Sequence, residues 1–201
     1  MSAPSFLSQA RAAVVVTLFF TLLLGIGYPL LVTGIGQLVF PAQAGGSLLR
    51  DPAGQVIGSR LLAQGFTRPG YLHPRPSAAG PDSYDASGSS GSNLGPLNPA
   101  LSARIARDAA ALRTESPAPI PADAVTTSGS GLDPDISPAN ARRQAARIAA
   151  ARGADPAAVE RFIAGRVIPP TLGMLGQPRV NVLTTNLALD AAFPQRQPLP
   201  R

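Results

Sequence analysis

From Ala12 to Phe40 the chain carries no charged side chain, with Arg11 just before this stretch and no further charge until Arg50 and Asp51. As a helix it would reach about 43 Å, against a hydrocarbon core of ~30 Å, so it spans a bilayer with tilt, kink or projection beyond the lipid. The rival reading is a cleavable secretory signal, with Arg11 as its basic region and Ala42-Gln43-Ala44 as a small-residue cleavage site. The apolar run continues well past Leu24 to Leu38 and Phe40, whereas a signal core spans only ~7 to 15 residues. Arg11 and the α-amino group flank one side of the span, while Asp51 offsets Arg50 on the other, which favours a cytoplasmic N-terminus.

The expected organisation is a tail over 1–11, a transmembrane helix over 12–40 and one soluble extracytoplasmic domain over 41–201. The last segment is long enough for one real core and too short for two. Within the span, Thr17, Thr21 and Gly25 recur every four residues and place small side chains on one face, the kind of face that lets membrane helices approach closely. Pro29, just after Tyr28, lacks the donor that the next helical turn needs, so a kink is expected near Gly25, Gly27 and Tyr28. The tolerance of Gly and Pro in any membrane helix is the competing explanation.

Beyond the span the patterning is α+β. A strand over 46–50, a type I turn at Asp51-Pro52-Ala53-Gly54 and a second strand over 55–64 make a hairpin. From Arg68 to Pro99 the chain is rich in Pro, Gly, Ser and Asn and has the composition of a flexible linker, although its length points to function or disorder. Pro99 opens a helix with Leu101, Ile105 and Leu112 on one face. Ser137 caps a second helix that begins at Pro138 and ends at Gly153, and Asp155-Pro156 opens a third with Val159, Phe162, Ile163 and Val167 as a core stripe. A short strand over 179–183 and a helix over 185–192, carrying Leu187 and Leu189 inward, complete the expectation.

Composition removes whole classes of chemistry. Cysteine is absent, which excludes disulfides, thiolate metal sites and thiol nucleophiles. All seventeen basic residues are arginine, so neither a phosphate-binding loop ending in Lys nor a Schiff base can form. The net charge of +6 does not indicate nucleic acid, because no aromatic platform interleaves the arginines. The one cluster, Arg142, Arg143, Arg147 and Arg152, is read as a solvated helix face. His73 is the single histidine, leaving no second imidazole for a transition-metal site and no local support for a Ser-His-Asp triad. Neither a catalytic constellation nor a metal site is expected.

One loop stands out. Ser128-Gly129-Ser130-Gly131-Leu132-Asp133 and Asp135 join a glycine-rich turn to two carboxylates and a capped helix, a pattern that could cradle an anion, attract a cation, dock a partner or simply turn the chain. Ser92, Asn93 and Gly95 form a second candidate loop.

These residues carry a resemblance. Gly27-Tyr28-Pro29-Leu30, Thr33-Gly34, Phe40-Pro41, Arg75-Pro76-Ser77-Ala78-Ala79, Ser92-Asn93-Leu94-Gly95-Pro96, Ser128 through Pro134 and Arg179-Val180-Asn181-Val182-Leu183 occur in the order found in the C-subunit family of the Kdp potassium-transporting P-type ATPase complex, which this chain closely resembles. That family usually has His where this chain has Asp135. The resemblance implies a non-catalytic accessory subunit of a bacterial inner-membrane complex that takes up potassium. Its partners would be a potassium-channel-like subunit, an ATP-hydrolysing P-type subunit and a very small membrane subunit, and potassium would be handled by the complex. The alternative it implies is a catalytic chaperone that raises the pump subunit's affinity for ATP, by direct nucleotide contact at the glycine-rich turns or by coupling through the membrane. An exported binding module or lipid-anchored enzyme is the reading that remains without the resemblance.

Overall fold

The computed structural model describes residues 5–51 and 53–194 and divides the chain into two compact units, 1–48 and 49–201. In the first, α1 (Phe6–Leu22) runs into a π-helical turn (Leu23–Gly27) and then α2 (Tyr28–Val39), so that 6–39 forms one apolar helical stretch long enough to cross a membrane. The expected kink takes the form of the π turn. Pro29 cannot donate to the Gly25 carbonyl and its ring crowds that oxygen; the ladder widens one turn earlier, where the Tyr28 N–H donates to the Leu23 carbonyl. No side chain of α1, the π turn or α2 is buried, so their apolar surface must be covered by lipid or by another helix. A single helical turn, α3 (Pro41–Ala44), follows.

β1 (Leu48–Arg50) and β2 (Val56–Ser59) form the expected two-stranded sheet, both strands shorter than anticipated. Their turn is closed by the Gly54 N–H donating to the Asp51 carbonyl and the Gln55 N–H to the Asp51 carboxylate; Pro52 lies outside the described residues. From Arg60 to Asn98 the chain has neither helix nor strand. Its first part is nevertheless core. Tyr71, Leu72 and Ala79 are wholly buried, which corrects the linker reading for this portion of 68–99. The segment is held because its peptide groups find side-chain partners: Asn186 receives the Leu72 N–H at 2.8 Å and donates to the Leu72 carbonyl at 3.0 Å, the pairing of a β-ladder supplied by one amide.

α4 (Pro99–Glu115) begins where Asn98 caps it, and its Leu101, Ile105 and Leu112 are half-buried. β3 (Asp135–Ile136) pairs antiparallel with β4 (Val180–Asn181), Asp135 opposite Asn181. The second expected helix is two, α5 (Pro138–Arg143) and α6 (Ala145–Arg152), stepped at Gln144. Its punctuation is as expected: the Ser137 hydroxyl accepts the Asn140 N–H, and Gly153 ends it at φ 62°, a left-handed conformation that costs glycine nothing. α7 (Pro156–Ala164) is capped by Asp155 and buries Val159 and Ile163, with Phe162 and Val167 packed alongside. α8 (Val182–Ala192) starts three residues before the expected boundary, because Asn181 supplies the cap by accepting the Thr184 N–H. Leu189 is in the core as expected, but Leu187 is half-buried, and Asn186 takes the interior position. The core gathers Leu72, Ile136, Ile148, Val159, Val180 and Leu189, sequence-distant residues drawn from the irregular segment, both short strands and three helices.

Candidate functional site

In the membrane helix, Thr17, Thr21 and Gly25 are all exposed, and a Cβ placed on Gly25 would lie 4.0 Å from the Thr21 methyl, so these positions adjoin on one surface. Tyr28 and Pro29 open α2 directly after the π turn, which itself contains Gly25, the last residue of the small-residue face. π turns of this kind recur at functional positions in helices.

In the second unit the structure brings the two candidate loops together. Gly131 has φ 68°, and a Cβ there would stand 2.5 Å from the Ser90 carbonyl oxygen and 2.7 Å from the Ala79 Cβ. The Ser89 hydroxyl donates to the Ser130 carbonyl at 3.0 Å, the Ser90 hydroxyl to the Ala78 carbonyl at 3.0 Å, and Thr127 approaches Ser92 at 3.4 Å. Asn93 adopts φ 50°, and the Gly95 carbonyl receives the Asn98 N–H just before α4. The loop amides are occupied internally: Gly131 N–H bonds the Ser128 carbonyl, Leu132 N–H the Ser130 hydroxyl and Asp133 N–H the Ser128 hydroxyl. Leu132 is itself buried, and its carbonyl receives the Ala63 N–H.

The two carboxylates face different partners. Asp133 pairs with Arg75 at 3.0 Å while its other oxygen accepts the Asp135 N–H at 3.1 Å; Asp135 pairs with Arg179 at 2.9 Å and accepts from the Asn181 amide at 2.9 Å. Each negative charge therefore meets a guanidinium, and Arg75 also donates toward the Thr127 carbonyl at 3.3 Å, clamping the start of the loop. Among the described residues, no three His, Asp or Glu side chains gather as a metal-binding group. Asp135, Arg179 and Asn181 line a shallow cleft with Arg60, Leu61, Pro134, Ile168 and Thr184.

The arginine cluster corrects the solvated-face reading. Arg142 is exposed and pairs loosely with Glu160 at 3.5 Å, but Arg143 is buried and donates to the Leu112 and Ser116 carbonyls at the end of α4. Arg147 donates to the Pro69 and Tyr71 carbonyls and to Gln144, and lies 3.6 Å from Glu115. The side chain of Arg152 is fully buried: it donates to the carbonyls of Gly70, Leu189 and Phe193, pairs with Asp190 at 2.9 Å and stacks 4.8 Å from the Tyr71 ring centre. A segment without regular structure leaves carbonyls that no ladder satisfies, and the five donors of a guanidinium serve several at once.

Tyr71 donates to both Asp190 oxygens, at 2.9 and 3.1 Å, and burial together with that carboxylate pushes its hydroxyl up to about 12. Burial, reinforced by the Arg147 charge, pushes His73 below its usual 6.5; its Nε2 lies 3.1 Å from the Arg68 carbonyl and 3.3 Å from the Arg147 guanidinium. His73 thus belongs to the packing of the 68–79 segment. Asp123 likewise went unnoticed in the sequence: it accepts from the Ser137 N–H and hydroxyl and the Asn140 amide, bracing the start of α5. The Ser137-Pro138 helix start was its only local signal.

Comparison with known proteins gives a consistent result. The family model described as "KdpC: K+-transporting ATPase, c chain" matches residues 10–191. A protein named potassium-transporting ATPase KdpC subunit in Caulobacter sp. strain K31 is 62% identical over 94% of this chain and 96% of its own length. Proteins of the same name in Beijerinckia indica and Myxococcus xanthus are 60% and 53% identical, over 96% and 94% of this chain and 100% and 89% of their own lengths.

Proposed function

This chain belongs to the KdpC family of K+-transporting ATPase c chains, and we propose that it serves as a non-catalytic accessory subunit that assembles and stabilises the channel-like and ATP-hydrolysing subunits of a potassium uptake complex. The observation that carries this reading is the 6–39 helix: it is free of charge from Ala12 onward, buries none of its side chains among the described residues, and presents small residues at a π turn. In lipid the hydrophobic effect gives helices little reason to associate, so close packing over Thr17, Thr21 and Gly25 supplies the contact with the channel-like subunit. The N-terminus is cytoplasmic, and the soluble domain stands outside over the potassium entrance.

An effect on ATP affinity enters as coupling between distant sites. The occupied amides of Gly131, Leu132 and Asp133 argue against their holding phosphates, and the proposed topology keeps the domain away from a cytoplasmic nucleotide. The interface is tested by replacing Thr17, Thr21 and Gly25 together with Leu and purifying the complex through a tag on another subunit. The variant should insert in the membrane yet be lost from the purified complex; undiminished recovery would refute this interface.

A further inference from the structure

After α7 the chain projects an arm that no helix covers. Ile168 and Arg179 exchange backbone hydrogen bonds at its base, at 2.7 and 3.1 Å, and Thr171 and Leu175 exchange a second pair, each 2.9 Å, around the tip Leu172-Gly173-Met174. The tip is apolar and turned outward: Leu172 is 82% exposed, Met174 79% and Leu175 58%. Leu172 also holds φ 55°, an uncommon conformation for a bulky side chain, in a turn that keeps it away from the core. Neither the potassium-pump assignment nor the membrane helix accounts for such a surface.

We propose that this arm rests in the headgroup region of an anionic phospholipid bilayer, with Leu172, Met174 and Leu175 dipping into the acyl boundary. The inference rests on the reading of 6–39 as a membrane span. Two further observations select lipid. First, the bilayer is close: the chain from Phe40 to Leu48 reaches at most about 30 Å even fully extended. The segment after β2 is fixed to the base of the arm, since the Asn181 amide donates to the Arg60 carbonyl at 3.0 Å and Leu61 shares a cleft with Ile168 and Arg179. Leu61, 59% exposed, adds to the apolar surface beside the base of the arm.

Second, the charge fits. No acidic residue occurs between Glu160 and Asp190, while in sequence Arg161 and Arg166 precede the tip and Arg179, paired with Asp135, follows it; Arg60 lies across the cleft, which Asp135 lines as its one carboxylate. An apolar tip on a segment whose charged side chains are all arginine matches a surface with anionic phosphates above and hydrocarbon below.

The absence of cysteine makes the test direct. The full chain is reconstituted in vesicles of phosphatidylethanolamine and phosphatidylglycerol, with a nitroxide attached at M174C, or at L24C or A103C as references. Collision with oxygen, which concentrates in lipid, is compared with collision with a water-soluble nickel chelate. The label at 174 should favour oxygen several-fold over the label at 103 on exposed α4, should approach the behaviour at 24, and should retreat toward that at 103 in phosphatidylcholine vesicles at high salt. A label at 174 as water-exposed as that at 103, with 24 in lipid, would overturn the proposal while leaving the span intact. A water-exposed label at 24 would overturn the span reading itself. A label at 174 that is water-exposed in the isolated chain but shielded from both reagents in the assembled complex would overturn lipid binding and assign the arm to a protein partner.

Discussion

Two glycines of the Ser128–Gly131 turn, identical in type and two residues apart, should respond oppositely to alanine. At Gly131 the left-handed backbone alone costs a Cβ about 1–2 kcal/mol. The added methyl would also stand 2.5 Å from the Ser90 oxygen, 2.7 Å from the Ala79 Cβ and 2.8 Å from the Ala79 nitrogen, all backbone or buried groups that cannot swing aside. Relief requires the 78–91 and 128–131 loops to part, which weakens the Ser89 hydroxyl bond to the Ser130 carbonyl that joins them, at about 1 kcal/mol. Gly131→Ala should therefore destabilise the soluble unit by about 3 kcal/mol, within the ~1–3 kcal/mol typical of overpacking plus the backbone term. Gly129 is exposed, with nothing within 4 Å of the place a methyl would take and no positive φ, so Gly129→Ala should change stability by less than about 0.5 kcal/mol. Urea unfolding of the full chain in detergent, followed by tyrosine near-ultraviolet dichroism, measures both. Equal losses at the two positions, or none at Gly131, would refute the argument that these loops pack as one body.

Arg152→Met should cost about 3–5 kcal/mol in the same assay, because it strands Asp190 and the carbonyls of Gly70, Leu189 and Phe193; Arg152→Lys should recover only part, since one ammonium cannot reach all four. Stability should also fall at both pH extremes for identifiable reasons. The folded state holds the Tyr71 proton more tightly than the unfolded chain, so this contribution is complete below pH 10 and is lost as pH rises toward 12, a loss that Tyr71→Phe should remove. The folded state disfavours protonated His73, so its contribution is complete above pH 6.5 and is lost as pH falls below that value; an acid limb unchanged by His73→Gln would contradict this.

Local signals were legible where the physics is local. Pro29 announced a disturbed helix, Ser137-Pro138 and Asp155-Pro156 announced helix starts, and Val159 with Ile163 announced a core stripe, because capping, proline geometry and helical periodicity act within a turn or two. The 68–79 segment was misjudged because its order comes from residues far along the chain. Leu72 is held by Asn186 and the carbonyls around it by Arg147 and Arg152, so neither the buried loop nor the buried arginines carry a periodic signature. The same logic hid the union of the two candidate loops: nothing near Ser130 reveals that Ser89 will bond it. The use of arginine for every basic residue was the one compositional hint, since the five fixed donors of a guanidinium serve more irregular carbonyls at once than the three of an ammonium.

The central claim, an accessory subunit anchored by one span with its domain outside, is tested most directly by sidedness. Single cysteines at Ser5 and Ala103, both exposed, would be placed in this cysteine-free chain within the assembled complex, and intact spheroplasts treated with a membrane-impermeant maleimide. The account predicts labelling at 103 and protection of 5 until the membrane is permeabilised. Labelling at 5 with protection of 103 would put the domain on the nucleotide side and contradict it.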